Sequence, residues 1–296
     1  MNKLNRVTAI VPCYNREKYI FATILSVLDQ TFKDIDVVVV DDGCTDGSRK
    51  VLEQFSDRIR LLEHPGRANR GQSASINLGL ANSSGEFVAI LDSDDLWAPT
   101  KIAEQVSHLD CHADAGMVYG NGHAIDGDGR ELYRIYDDAH RELNQPSRLL
   151  EDCYLLIPSN SLVRRSVFDA AGRFDETLRS GQDHDMAIRI AEVTKLAYVN
   201  ATWFYYRRHG DSISAKRADL RWRTGFKILA KAKERYPYSR RTVRRRLGVL
   251  HFRLGQTLLE DGRLVTGAYH LVLALFCDPV RALGVLAGRE PVDSPH

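Results

Sequence analysis

The chain has 296 residues, 44% hydrophobic and 27% charged, a composition that suits one large water-soluble domain, or one domain plus an appendage, and excludes a disordered or fibrous class. Its net charge of +2 is uneven: from Lys216 onward there are 17 Lys/Arg against 7 Asp/Glu, and residues 1–215 hold 24 against 32. Two regions with different tasks are implied, and the five cysteines (Cys13, Cys44, Cys111, Cys153, Cys277), scattered and without a CxxC pair, exclude a disulfide framework and a zinc site.

Val7 to Val11 is β-branched and apolar, a strand stopped by Pro12-Cys-Tyr-Asn15. Ile20, Ile24, Val27 and Leu28 give helical spacing to residues 17–30. Residues 35–40 form a second strand, apolar almost throughout as in a parallel strand covered on both faces, and run into the Asp/Gly-rich turn Asp41-Asp-Gly-Cys-Thr-Asp-Gly47. A helix over 48–55, a strand over 59–62, a helix over 71–80 and a strand over 87–91 follow. This alternation predicts an α/β fold with a doubly wound, mostly parallel sheet and right-handed crossovers.

The last of these strands ends in Asp92-Ser-Asp-Asp95, three carboxylates in four positions. Like charges so close raise one another's pKa unless a cation neutralises them, and a hard ion such as Mg²⁺ or Mn²⁺, shared with substrate phosphates, is the natural partner. Taken alone, an Asp-rich turn is most often merely solvated. Here two acidic turns close parallel strands, and in such sheets the strand ends line a common ligand crevice.

Further on, residues 116–120 read as a strand, 126–129 as a hairpin turn, 157–163 as a strand and 165–171 as a helix. Met186, Ile190 and Val193 mark a helix with Asp183 at or near its N-terminus, where a carboxylate can cap free N–H groups. Residues 196–199 and 202–206 read as two late strands.

Five ordered blocks resemble the family 2 glycosyltransferases of the GT-A fold: Val11-Pro-Cys-Tyr-Asn15, Val40-Asp-Asp-Gly43, Asn69-Arg-Gly71 with Asn77-Leu-Gly79, Leu91-Asp-Ser-Asp-Asp95 and Gly181-Gln-Asp-His-Asp185. The resemblance covers about residues 5–214 and implies sugar transfer from a nucleotide-sugar, UDP-linked by preference, to a glycan or lipid-linked acceptor in bacterial surface polysaccharide or lipopolysaccharide synthesis. Carried over residue by residue, Pro12 and Tyr14 shelter the base and Asp42 reads its ring N–H, with Asp41 supporting the turn. Arg70 contacts base or phosphates, and Asp92 and Ser93 lie near the ribose. Asp94 holds Mn²⁺ or Mg²⁺, His209 reaches that metal or the diphosphate, and Asp95 supports them. Asp183 matches the catalytic base, with Asp185 orienting the loop; Gln182 stands where relatives often carry Glu. The implied domains are a catalytic one over 1–215, its nucleotide-sugar half about 1–110 and its acceptor half about 111–215, and a basic helical region over 216–296.

Within that region residues 221–253 carry 12 Lys/Arg and one acid, Glu234, across helices read over 220–236 and 240–259. No stacking platform for nucleic acid interleaves them, so an anionic membrane surface is the better-matched partner. Residues 254–279 resemble one tetratricopeptide helix pair, which cannot bury its own faces. The start of the chain lacks the pattern of a signal peptide, and the near-apolar stretch 264–277 is too short to span a bilayer. A cytoplasmic protein, peripheral on the inner face of the cell membrane, is expected. Two other readings are a sugar-phosphate nucleotidyltransferase, which would open with a Gly-rich basic phosphate loop, and a non-catalytic binding scaffold, which would not need the acids.

Overall fold

The computed structural model describes residues 6–142, 144–151, 158–210 and 218–286. The chain forms two compact units: residues 1–144, 156–177 and 193–209 in the first, and 145–155, 178–192 and 210–296 in the second. Cys153 and residues 211–217 of the late histidine block lie outside the described residues.

The first unit is built on a nine-stranded sheet whose main order is β3-β2-β1-β4-β8-β6-β9-β5, with β7 paired to β6. β1 (Val7–Cys13), β2 (Ile35–Asp41), β3 (Arg60–Glu63) and β4 (Phe87–Ile90) are parallel neighbours. Every residue of β1 and β4 is buried, as unbroken apolar runs covered on both faces require. α1 (Ile20–Leu28), α2 (Ser48–Glu53) and α3 (Gln72–Ala81) make the connections. The chain winds outward from β1 through β2 to β3, then returns to β4 on the other side of β1. The strand order therefore reverses between β1 and β4, the place where open α/β sheets bind ligands.

Beyond β4 the sheet becomes mixed. β8 (Ser161–Arg164) runs antiparallel to both β4 and β6 (Ala115–Ile125), and β9 (Lys195–Arg207) pairs parallel to β6. β6 and β7 (Glu131–Arg134) form the hairpin expected around residues 126–129. β5 (Leu96–Trp97) comes directly after the acidic turn and pairs Leu96 with Tyr205 and Trp97 with Phe204 of β9. That short antiparallel pairing carries the end of β9, and with it His209, to the acidic turn.

Several boundaries differ from the sequence reading. The first helix begins only at Ile20, because residues 14–19 are held in the turn after β1. The two late strands are one strand, bent by register shifts around Gly120 and Asn121. The strand expected over 157–163 is Ser161–Arg164. β6 continues past Gly120 because a Cβ there would lie 2.2 Å from Trp203 Cε3; glycine admits the indole. α4 (Lys101–Cys111), unread in the sequence, buries Ile102, Val106 and Leu109 at helical spacing; α6 (Arg165–Ala171) falls where expected.

The second unit is helical: α5 (Pro146–Glu151), α7 (Gln182–Val193), α8 (Ala218–Arg235), α9 (Arg240–Glu260), α10 (Leu264–Cys277) and α11 (Pro279–Leu286). α9 and α10 pack closely where Gly255 meets Gly267; a Cβ on Gly267 would stand 3.0 Å from the Gly255 carbonyl oxygen. The basic stretch is partly structural. Arg246 is buried and donates to the Glu151 carbonyl at 3.1 Å, and Arg235 pairs with Glu192. No described helix is long and apolar enough to cross a membrane.

Candidate active site

At the end of β2, Asp41 and Asp42 have different surroundings although both are buried. Asp41 accepts from the Cys44 backbone N–H at 2.8 Å and from Arg49 Nη1 at 3.1 Å, which ties its carboxylate into the turn. Asp42 faces the loop before α3: Oδ1 accepts from the Arg70 N–H at 2.7 Å and Oδ2 from the Gly71 N–H at 2.9 Å. Gly43, at φ 76°, permits that approach, since a Cβ would come within 2.6 Å of the Arg67 carbonyl oxygen. The resemblance gives Asp42 a base to read; in the structure its carboxylate organises the Arg70 loop. At the end of β1, Pro12 is buried and the Tyr14 ring is 44% exposed, an aromatic surface beside the same turn.

The acidic turn after β4 has one carboxylate for each surrounding. Asp92 accepts from Gln72 Nε2 at 2.6 Å, linking it to the start of α3, while its own N–H donates to Ser159 Oγ at 3.2 Å. Ser93 is buried, its carbonyl taking the Thr23 hydroxyl at 3.2 Å. Asp94 Oδ2 accepts from Arg16 Nε at 2.9 Å and lies 3.0 Å from His209 Nε2. Burial would raise the Asp94 carboxyl, but the His209 hydrogen bond and the Arg16 charge outweigh it and hold the group below its ordinary value. Asp95 is fully enclosed, taking the Ser159 hydroxyl at 2.6 Å and the Arg207 N–H at 2.9 Å. Burial, then the charges of Asp94 and Asp92, push its carboxyl well up. Arg207 Nε also donates to the Asp94 carbonyl at 2.9 Å, so the turn and the end of β9 form one hydrogen-bonded piece.

Asp183 and Asp185 belong to the second unit, on the first turn of α7. Burial raises the Asp183 carboxyl, opposed by the His184 backbone N–H and the charge of Arg221. Asp185 is buried and ion-paired to Arg189 Nη2 at 2.8 Å, one helical turn along. It is thus committed to its helix, while Asp183 has no side-chain ion pair within hydrogen-bonding distance among the described residues.

No group of three or more His, Cys, Asp or Glu side chains among the described residues is placed to hold a metal ion. Asp94 and His209 do present a carboxylate oxygen and an imidazole nitrogen together, and His209 Nδ1 is buried with no hydrogen-bond partner among those residues. A two-donor edge of this kind fits an ion that takes its remaining ligands from substrate phosphates and water.

Arg16, Gln72, Ser159 and Arg207 were not singled out in the sequence. Each is an ordinary polar residue whose function depends on a partner 20 or more positions away, from Gln72–Asp92 to Arg207–Asp95. Arg16 alone carried a local signal, its place just past the first strand's turn.

Acids gathered at a sheet's switch point, on parallel strands that pass into a mixed half, define a protein of GT-A-like fold. The profile of glycosyl transferase family 2 matches residues 8–172, more than half the chain, and the chain belongs to that family. An uncharacterized glycosyltransferase of Rickettsia bellii is 30% identical over 221 residues, 71% of this chain and 31% of that protein. Glycosyltransferase GlyG of Streptococcus pneumoniae serotype 4 is 26% identical over 230 residues, 73% of this chain and 75% of that protein. The chain spans only 31–35% of the length of three Rickettsia relatives. Among solved structures, S. aureus TarS 1-349 superposes with a TM-score of 0.69 at 20% identity, covering 94% of this chain and 82% of that one. Mannosyltransferase PcManGT from Pyrobaculum calidifontis, solved in complex with GDP-Man and Mn²⁺, gives 0.64 at 21% identity, covering 97% and 80%.

Proposed function

We propose that the chain is an inverting, metal-dependent glycosyltransferase that moves a hexose-type sugar from a nucleotide-sugar, UDP-linked by preference, to a hydroxyl of a glycan or lipid-linked acceptor. The setting we assign is bacterial surface polysaccharide or lipopolysaccharide synthesis. The observation that carries this reading is Asp94, anionic and tied to Arg16 and His209 at the switch point of the sheet. Tyr14 and Pro12 border the base, and Asp42, whose two oxygens each accept one backbone N–H, takes its ring N–H. Arg70 and the start of α3 face the phosphates, and Asp92 and Ser93 the ribose. Asp94 and His209 would hold Mn²⁺ or Mg²⁺. When bound, the ion supplies positive charge to the departing nucleoside diphosphate. Asp183 takes the proton of the acceptor hydroxyl, and a single base acting opposite the leaving group gives inversion.

UDP- and GDP-sugars should be screened for thermal stabilisation and for turnover, each with Mn²⁺ and with EDTA. The expected result is turnover of a UDP-sugar that EDTA abolishes. Stabilisation without turnover of any sugar would favour the scaffold, and turnover insensitive to EDTA would remove the metal from the mechanism.

Peripheral attachment to an anionic membrane is the second part of the proposal. Exposed Arg223, Lys227, Lys231, Arg241 and Arg244 on α8 and α9 support it. So does an exposed apolar arc on α10, with Val265 at 85%, Tyr269 at 61% and Phe276 at 78%. Each basic residue near such a surface contributes about 1 kcal/mol. The chain should sediment with phosphatidylglycerol vesicles at low salt and be released as salt rises. Equal binding to neutral phosphatidylcholine vesicles would refute the electrostatic attachment.

A further inference from the structure

Among the described residues, the two groups that meet the Asp94 carboxylate fall on the same oxygen. Arg16 Nε is 2.9 Å and His209 Nε2 3.0 Å from Oδ2. The backbone of Arg16 is fixed by its own N–H, which donates to Ser48 Oγ at 2.8 Å. Among the described residues its guanidinium is held otherwise only by near neighbours in sequence, the carbonyls of Asn15 at 3.0 Å and Tyr14 at 3.5 Å. The side chain can therefore swing about an anchored Cα without loosening the sheet. It also sets positive charge directly against Asp94, which shares its turn with Asp92 and Asp95. A divalent ion arriving at Oδ2 would meet the positive guanidinium at the same oxygen, where the two cations repel each other and compete for the same lone pairs.

We infer that Arg16 is the resident counter-cation of Asp94, a positioning residue that gives up Oδ2 to the divalent ion when a nucleoside diphosphate binds and then pairs with the diphosphate oxygens. A planar guanidinium matches phosphate oxygens in bidentate fashion, so the arriving anion gives Arg16 a new partner as it leaves the old one. Ion binding should follow nucleotide binding, and the free protein should hold the ion weakly. The inference rests on the metal reading proposed above and adds the order of events and the residue that enforces it.

The test is Mn²⁺ binding, followed by loss of the free-ion EPR signal with and without UDP, after subtraction of the Mn²⁺–UDP complex. Wild type is expected to bind Mn²⁺ more tightly with UDP present by roughly 5–150-fold, the usual range of coupling between sites. Arg16→Met should bind Mn²⁺ without UDP more tightly than wild type by a factor in that range, should lose most of the UDP-dependent gain, and should bind UDP more weakly. Arg16→Lys should fall between the two, because its ammonium neutralises Asp94 without the bidentate fork. If Arg16→Met fails to fold, Arg16→Gln takes its place under the same expectation. Mn²⁺ binding to a folded neutral variant no tighter than to wild type would overturn the role of Arg16 while leaving the metal site intact. Failure of wild type to bind Mn²⁺ even with UDP would remove the metal reading, and this inference with it.

Discussion

Asp94→Asn is expected to lower sugar transfer by about 10²–10³-fold, the usual loss when one preorganised electrostatic group is removed from a transition-state site. The substitution keeps the shape of the side chain and an oxygen able to accept one hydrogen bond. It removes the negative charge that holds Arg16 and His209 on one side and, by our reading, the divalent ion on the other. Residual turnover should no longer respond to Mn²⁺. The cost to the fold is smaller, about 1–3 kcal/mol, because the Arg16 guanidinium keeps its carbonyl partners and is partly solvated. Steady-state rates across a Mn²⁺ titration, read beside thermal midpoints, separate the two effects. Full Mn²⁺-stimulated activity in Asp94→Asn would eliminate Asp94 as the ion's ligand. Asp128→Asn, on an exposed turn, is the matched control.

Asp183→Asn should reduce transfer by about 10²–10⁴-fold, the contribution of a positioned general base, with nucleotide binding unchanged. The direction of its pKa adds two further expectations. Burial raises the carboxyl above its ordinary value. The wild-type rate should therefore begin to fall, as pH is lowered, at a higher pH than an ordinary carboxylate would give. For stability the sign is the reverse of a salt-bridged acid: a carboxyl raised in the folded state favours folding while protonated, and that contribution is lost as pH rises through the folded pKa. Above that pKa the ionised group is a burden on the fold, so there Asp183→Asn should melt no lower than wild type. Asp185→Asn should melt lower, because it breaks the buried pair with Arg189. An Asp183→Asn variant that transfers sugar normally would rule out this base; one that unfolds early would mark the residue as structural.

The parallel half of the sheet was legible because each of its elements is a local pattern. Val37 to Val40 can only be a strand covered on both faces, and the turns at Asp41-Asp42 and Asp92–Asp95 mark where two such strands end. The second half was less legible. The strand expected over 116–120 runs on to Ile125, because Trp203 and Phe204 occupy the space that Gly120 and Gly122 leave. α4 was missed although Ile102, Val106 and Leu109 carry helical spacing, because Lys101 and Gln105, which are buried with them, look like surface residues.

The candidate site divides the same way. The acidic turn at Asp92–Asp95 was legible from residue type alone, whereas Asp42 and His209 were named as candidates through the family resemblance. Which partner each acid would have was decided only by the tertiary structure. Asp94 is paired with Arg16 and His209, Asp95 is enclosed by Ser159 and the Arg207 N–H, and Asp42 is bound to the loop before α3. The physical reason is that the charge a carboxylate keeps depends on burial and on neighbours brought from 28 to 115 positions away, and sheet pairing, not local sequence, sets those distances.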